Sequence, residues 1–175
     1  MCKSVILFLF FVQVSHASIQ VWPLGAGARF ERDENQSLTP RVTQRLAIGL
    51  NIESIQVEIA ADQFSSKSSE GNVSIKRNYQ DFTLWLGHQF HQWNQLNLFA
   101  MGGLGQYQET IKTRVGTLTD ESTSNSKTLM GVGLELRYQP FDVGLLVSSG
   151  ARILWAENFD PNLQPDLFVR LGFEF

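Results

Sequence analysis

Histidine and serine are the side chains in this sequence from which a hydrolytic or acyl-transfer site would be built. Beyond the leading segment there are two histidines, His88 and His91, in the stretch "GHQFHQW" at 87–93. The serines considered as nucleophiles, Ser148 and Ser149, lie in another segment with no histidine near them. We interpret both histidines as turn or interface residues and predict no catalytic residue. Two histidines without a cysteine also argue against a metal site, so we expect no metal and no other cofactor.

Paired carboxylates are the second arrangement that could do chemistry, because glycosidases use two of them. Glu58 and Asp62 lie four residues apart on one side of a predicted strand, and Glu135 and Glu174 point the same way. Arginines alternate with these carboxylates, which favours an interior of ion pairs over a catalytic pair. The acidic stretch "TLTDESTSNSK" at 117–127 is expected to be a solvated outer loop that binds cations weakly at most.

The leading residues have the pattern of a secretory signal peptide. Lys3 precedes the apolar run "VILFLFFVQV" at 5–14, and "SHA" at 15–17 offers small residues for cleavage after Ala17. The run is too short for a membrane anchor, which needs about 20 apolar residues. We expect residues 1–17 to be removed, together with Cys2, the only cysteine, which precedes the apolar run and is misplaced for lipidation.

The remaining residues, 18–175, are long enough for one domain with its own core. The chain has a net charge of −3 that is spread along its length, and we expect no basic patch. Nucleic acid is therefore not an expected partner, because binding to it requires clustered lysines and arginines.

Apolar and polar residues alternate with a period of two along most of the chain, which is typical of strands. The alternation is clearest in 45–52, 81–90, 129–138 and 141–155, weaker in 19–30, 55–64 and 95–112, and clear again in the final "LFVRLGFEF". No segment after residue 17 has the length of an apolar membrane helix. The pattern predicts eight strands.

The predicted connections alternate between short and long. Tight turns are expected near 51–54, 91–94 and 139–142, and long polar connections at 31–40, 65–74, 114–127 and 156–165. In an up-and-down meander all short turns then fall at one end and all long loops at the other. Outer-membrane barrels have this asymmetry, with short periplasmic turns and longer outer loops.

The two faces of the predicted strands differ sharply in composition. One face is almost entirely aliphatic or aromatic, whereas the other carries glycines and nearly balanced charges. A small barrel in a membrane faces lipid with its apolar side and fills its interior with the other. The predicted lumen charges are Arg29, Arg45, Glu58, Asp62, Asp81, Glu135, Arg137, Arg152, Arg170 and Glu174.

Aromatic residues on the apolar face fall into two bands, as amphipathic rings at a membrane interface do. The band near the short turns is expected to contain Trp22, Phe90, Tyr138, Phe141, Phe173 and Phe175, and the other band Phe30, Phe82 and Trp155. Trp85 is predicted to point inward. Phe64 departs from the apolar parity of its strand, so we expect a β-bulge near Asp62.

Taken together, the chain resembles the small eight-stranded outer-membrane proteins of Gram-negative bacteria, similar to the OmpA-type and OmpX-type barrels. The resemblance covers everything after the signal peptide and implies an all-β fold, an eight-stranded antiparallel up-and-down transmembrane β-barrel. It also implies that the last strand is the signal for the barrel assembly machinery. The residues that match this signal are Leu167, Val169, Leu171, Phe173 and Phe175.

Two eight-stranded families act on lipid A, a palmitoyltransferase and a deacylase, and both use histidine with serine and an acidic partner near the outer end. Here His88 and His91 lie at the opposite end, and "NFDPNLQPD" at 158–166 holds no base. Eight strands also leave little room for a pore.

The leading hypothesis is a monomeric, non-enzymatic outer-membrane barrel with a structural, binding or adhesive role through its outer loops. Its expected partners are membrane lipid, lipopolysaccharide and the assembly machinery. A narrow channel or small-molecule carrier, a lipid A-modifying enzyme and a secreted soluble barrel remain alternatives.

Overall fold

Nine antiparallel strands make up the fold in the computed structural model, which describes residues 17–32, 37–141, 144–156 and 163–175. The strands are β1 (Ala17–Arg32), β2 (Leu38–Ile52), β3 (Ile55–Glu70), β4 (Val73–Trp93), β5 (Leu96–Val115), β6 (Leu118–Thr123), β7 (Lys127–Tyr138), β8 (Leu145–Ala156) and β9 (Leu163–Glu174). Eight of them form a closed ring, because β1 pairs with β9 and β4 with β5. The prediction of an eight-stranded up-and-down barrel is thus confirmed. The described residues include no helix with the length and apolarity needed to cross a bilayer.

The two ends of the ring differ in their connections. At what we call the turn end, short turns follow β2 and β4, and the left-handed backbone of Glu53 (φ 54°) and Asn94 (φ 50°) closes them. Three further features lie at this end: the first residues of β1, the last residues of β9, and the connection between β7 and β8. At the opposite end, which we call the hairpin end, Gly71 (φ 55°) and Gly116 (φ 62°) take that backbone conformation.

The connections at the hairpin end are more ordered than the sequence suggests. Residues 65–74, expected to be a loop, are a hairpin in which β3 and β4 stay paired up to Glu70 and Val73. Within 114–127, also expected to be a loop, β6 pairs with the end of β5. Both loop predictions are wrong over these stretches, because paired strands satisfy their own backbone hydrogen bonds even in water. Parts of the other two predicted loops, 33–36 and 157–162, lie outside the described residues, as do residues 1–16 of the expected signal peptide.

Side chains alternate between the interior and the outer surface, and the apolar set is outside. On β9, Val169 is 58% exposed and its neighbour Arg170 is 3% exposed. The outer surface therefore carries an apolar belt, which includes Leu46, Ile48, Leu84, Leu86, Val132, Leu134, Ile153, Leu167 and Val169. A barrel with charges inside and an apolar belt outside is complementary to a lipid bilayer and not to water.

An irregularity in β1 reverses this alternation near the turn end. The register with β2 shifts between Trp22 and Gly25, and the register with β9 shifts between Val21 and Leu24. Pro23 lies at this point, and it has no N–H to donate to either neighbour. Trp22 consequently points inward and is 1% exposed. The prediction that Trp22 belongs to an outer aromatic band is wrong.

The bulge expected near Asp62 is absent from the described part of β3. The pairing of β3 with β4 runs without a register shift from Ile55 to Glu70. Phe64 follows the ordinary alternation, faces inward and stacks on Tyr79, with ring centroids 4.4 Å apart. Phe64 is therefore one of the large side chains that fill the interior, and its strand is regular at this point.

Candidate functional site

The interior toward the hairpin end holds a cluster of ion pairs, which we call the upper cluster. It comprises Arg29, Arg45, Asp62, Asp81 and Asp166. Arg45 donates to both oxygens of Asp62 at 2.6 Å and also reaches Asp166 at 2.6 Å. Arg29 lies 2.9 Å from Asp81. All five side chains are buried, and each of the three carboxylates has an arginine nitrogen within 3 Å, as buried ions require.

Toward the turn end lies a second group, the lower cluster, which comprises Glu58, Glu135, Arg137 and Arg170. Arg170 binds Glu135 at 2.6 Å and Glu58 at 2.7 Å. Arg137 lies 3.0 Å from Glu135 and donates to the side-chain oxygens of two glutamines, Gln20 at 2.8 Å and Gln56 at 2.6 Å. The lower cluster thereby links strands from opposite sides of the ring.

Arg152 lies between the two clusters and is held mainly by aromatic rings. Its guanidinium carbon is 4.0 Å from the ring centroid of Trp85 and 4.3 Å from that of Phe168. Its nearest carboxylate oxygen, on Glu58, is 3.5 Å away. Cation–π contacts of this kind gain strength when water is excluded, so the two rings take over part of the role of a carboxylate.

All ten predicted lumen charges point into the interior; nine are buried and Glu174 is half-buried. Glu174 accepts hydrogen bonds from Ser18 and, at 3.3 Å, from Gln20. The sequence reasoning omitted Asp166, which is fully buried. Asp166 has an even number, like Arg170 and Glu174 on the same strand, and this alternation predicts that its side chain faces the lumen.

The interior between the charges is filled with large rings. Trp22, Trp85, Phe99 and Phe168 are all at most 3% exposed. Glycines make room for them, because a Cβ on Gly103 or Gly172 would lie 2.6 Å from a tryptophan ring atom. The carboxylates enclosed by this packing are engaged with arginines.

The residues considered for catalysis are not brought together: the barrel wall separates His88 from Ser148, and Ser149 lies on the outer face of β8, which is not adjacent to β4 in the ring. His88 is exposed on the outer face, whereas Ser148 is buried inside, where its hydroxyl accepts a hydrogen bond from Arg170 at 2.9 Å. A guanidinium donor does not activate a serine as a general base would. His91 is exposed at the turn end against Trp93. Among the residues that the structure describes, no three acidic or histidine side chains are grouped to hold a metal ion.

The aromatic bands lie at the two edges of the apolar belt. Phe90, Tyr138, Phe141, Phe173 and Phe175 are exposed near the turn end, and Trp93, which was not predicted, joins them. Phe82 is exposed near the hairpin end, where Phe30 and Trp155 are half-buried. The residues of the expected assembly signal, Leu167, Val169, Leu171, Phe173 and Phe175, all lie on the outer face of the closing strand.

A part of the wall extends past the belt at the hairpin end. Above Gln63 the strand β3 pairs with β4 and no longer with β2, and above Tyr107 the strand β5 pairs with β6 and no longer with β7. We call this four-stranded extension, residues 63–80 and 106–123, the projecting sheet. About seven residues of β3 lie beyond Gln63, which is about 20 Å of strand.

Where β2 and β3 separate, a cavity of about 700 Å³ opens in the wall. Its lining includes Arg41, Phe64 and Tyr79. Burial raises the pKa of the Tyr79 hydroxyl above its usual range, and the neighbouring carboxylates of Glu31 and Glu109 raise it further. The tyrosine therefore keeps its proton at neutral pH.

The two faces of the projecting sheet differ in chemistry. The face that continues the apolar belt carries Lys67, Lys76 and Lys112, which are direct cross-strand partners. The expectation of no basic patch is wrong, because these lysines are distant in sequence and only the strand register brings them together. The other face carries the exposed apolar side chains of Val73, Val115 and Leu118.

No family model matches the chain, and no curated protein matches it in sequence. Solved structures match its fold over 91% of the chain. Neisserial surface protein A gives a TM-score of 0.67 at 12% identity, with 97% of that chain covered. Ail, the attachment invasion locus protein of Yersinia pestis, gives 0.64 at 14% identity and 97% coverage. A major outer membrane protein from Thermus thermophilus gives 0.68 at 10% identity and 100% coverage.

These similarities concern the fold, since the three sequences are only 10–14% identical to this one. The resemblance to small outer-membrane barrels that the sequence predicts is confirmed. The expected location in an outer membrane agrees with these neighbours and with the apolar belt.

Proposed function

We propose that the protein is an integral barrel of a bacterial outer membrane that binds a partner at the cell surface and catalyses no reaction. The observation that carries this proposal is the projecting sheet, which extends about 20 Å of paired strand beyond Gln63, where β3 leaves β2. Loops and edges that leave a rigid scaffold are common places for binding sites. The hairpin end would face the outside and the turn end the periplasm, as in related barrels.

The filled interior supports a binding role over a channel. Four large rings and two clusters of ion pairs occupy the lumen. Conduction requires a path that ions can enter and leave easily, and tightly paired arginines do not offer one. The packed lumen would instead keep the wall stiff and hold the projecting sheet in a fixed orientation.

Val73, Val115 and Leu118, the exposed apolar residues at the tip of the projecting sheet, form the contact surface that we propose for the partner. Val115 is 49% exposed and Leu118 is 76% exposed at the tip of the β5–β6 hairpin. Exposed apolar groups that lie together on a surface often mark protein interaction sites. One structural neighbour, Ail, is named the attachment invasion locus protein, and this name supports such a role.

The orientation can be tested with single cysteines, because the chain expected after signal cleavage has none. Thr119→Cys lies on the projecting sheet, and Asn94→Cys lies in a turn at the other end. A membrane-impermeant maleimide should label Thr119→Cys on intact cells and Asn94→Cys only after the outer membrane is permeabilised. The reverse pattern would overturn the proposed orientation.

The binding role needs a separate test on cells that display the barrel. Cells with the wild-type protein should be retained on at least one of a panel of immobilised extracellular-matrix proteins more strongly than cells without it. A V115S/L118S variant should lose this retention, whereas L104S, on the lipid-facing belt, serves as a control for assembly. Equal retention of cells with and without the barrel on every surface would contradict the proposal.

A further inference from the structure

Three lysines form a continuous row across three strands of the projecting sheet. Lys67 on β3 lies directly opposite Lys76 on β4, and Lys76 lies directly opposite Lys112 on β5. Directly opposed residues of an antiparallel pair have Cβ atoms about 5 Å apart. Like charges in this position destabilise a sheet, so the row calls for a negatively charged group that compensates it.

Among the described residues of this face, one side chain supplies such a group. Glu121, at the end of the row on β6, lies 2.9 Å from Lys112. The same-face neighbours of Lys67 and Lys76 on their own strands are Ser65, Ser69, Ser74 and Asn78, none of which is acidic. One row further toward the tip, Arg114 adds another positive charge opposite Ser74. Among these described positions the face carries four cations and one carboxylate.

The side of the sheet on which the lysines lie indicates where a compensating anion would come from. No register shift separates Lys76 from Phe82, so their side chains leave the sheet on the same side. Phe82 is at the upper edge of the apolar belt, and Lys76 is six residues further on, which is about 20 Å along the strand. The uncharged Gln80 and Asn78 occupy the same face between them. The lysines therefore point sideways, over the bilayer surface that surrounds the barrel.

We propose that Lys67, Lys76 and Lys112, with Arg114, bind the phosphate groups of the phosphorylated saccharide carried by lipopolysaccharide in the outer leaflet. Ammonium and guanidinium groups form charge-assisted hydrogen bonds with phosphate. The serines and amides that flank the row can donate to sugar hydroxyls. The row continues the lipid-facing side of the wall, so the saccharide of a neighbouring lipid is the anionic group that these lysines would face. The inference depends on the proposed outward orientation of the hairpin end.

Binding is tested with the purified, folded barrel in detergent micelles and two probes, lipopolysaccharide with its phosphates and the same material after chemical dephosphorylation. The wild type should prefer the phosphorylated form, and this preference should weaken as salt is added. Lys76→Gln should lower affinity for the phosphorylated form about fivefold, as expected for one cation near an anionic lipid surface. Glu121→Gln should raise the affinity, because it frees Lys112 from its carboxylate.

Arg77→Gln is the matched control, because Arg77 is adjacent to Lys76 but on the other face of the same strand. It should leave the affinity unchanged. Retention of a heat-modifiable gel shift in every variant establishes that the barrel is folded. Equal binding of both forms of lipopolysaccharide, or equal effects of K76Q and R77Q, would overturn the assignment.

A third probe, a soluble sulfated polysaccharide, separates a lipid-bound saccharide from a free polyanion. If it binds as tightly as phosphorylated lipopolysaccharide and loses affinity equally in K76Q, the assignment to the leaflet is wrong. None of these measurements involves cells or adhesion. Their failure therefore leaves the proposed surface-binding function intact, while the cysteine-labelling test decides the orientation independently.

Discussion

Arg45 and Asp62 are direct cross-strand partners, and two parallel hydrogen bonds of 2.6 Å join their side chains inside the barrel. The same guanidinium donates to Asp166 on the closing strand. One side chain thus connects β2, β3 and β9 across the lumen. Because the group is buried, the pair is sensitive to the loss of either partner.

Replacing Arg45 with Met should destabilise the folded barrel strongly. The change leaves Asp62 and Asp166 buried without their cation, and breaking a buried pair costs about 3–5 kcal/mol. The midpoint of urea unfolding in lipid vesicles measures the loss. Arg41→Met is the control on the same strand, where the partly exposed pair with Glu31 contributes about 1 kcal/mol or less. Similar midpoints for the two variants would show that the upper cluster does not stabilise the fold.

Gly103 should not tolerate a side chain, since a Cβ there would lie 2.6 Å from the ring of Trp85. Gly103→Ala overfills the lumen and should cost about 1–3 kcal/mol of unfolding free energy. The adjacent Gly102 is the matched control, because a Cβ at this outer position meets nothing within 4 Å. Gly102→Ala should unfold at the same urea concentration as the wild type. A cost for Gly102→Ala equal to that of Gly103→Ala would argue against the inward packing of Trp85.

The four tryptophans provide a spectroscopic test of the inside-out arrangement. Trp22 and Trp85 are in the lumen, whereas Trp93 and Trp155 lie near the two edges of the belt. Variants that retain one tryptophan, with phenylalanine at the other three positions, are inserted into vesicles of brominated lipid. The fluorescence of Trp93 and Trp155 should be quenched, and that of Trp22 and Trp85 should persist. Strong quenching of Trp22 would show that its side chain faces lipid, as the alternation alone predicted.

Phe175 is expected to matter for assembly in the cell more than for stability. Its backbone exchanges two hydrogen bonds with Ile19, of 2.9 and 3.1 Å, and its side chain is 79% exposed on the outer face. Phe175→Asp keeps the backbone pairing but removes the aromatic group that the assembly machinery would recognise. The amount of folded protein in outer-membrane fractions should fall, while refolding of the purified variant in detergent should stay close to that of the wild type. If Phe175→Asp assembles in cells as well as the wild type, Phe175 is not part of an assembly signal.

The alternation of apolar and polar residues determined much of this protein. Period-two segments, five of them clear and three weaker, predict eight strands, and the accumulation of arginines and carboxylates on one face predicts a membrane barrel. All ten lumen charges followed from parity, because in a regular strand the side of each residue depends only on whether its position is odd or even.

The odd–even rule predicted the wrong side for a residue where its strand is irregular. Trp22 was assigned to the wrong side, since the register shift at Pro23 depends on the pairing of β1 with both β2 and β9. The hairpins at 65–74 and 114–127 were missed for a related reason. Their polar residues are typical of loops, and only pairing with neighbouring strands shows that they continue the sheet.

The partners of each charge were decided by the tertiary structure. A slip of two residues in strand register preserves the face of every side chain but changes every cross-strand neighbour. The sequence could therefore place Arg45 inside without choosing between Asp62 and another carboxylate. For the same reason Lys67, Lys76 and Lys112 look unrelated along the chain and become one row only when β3, β4 and β5 pair in this register.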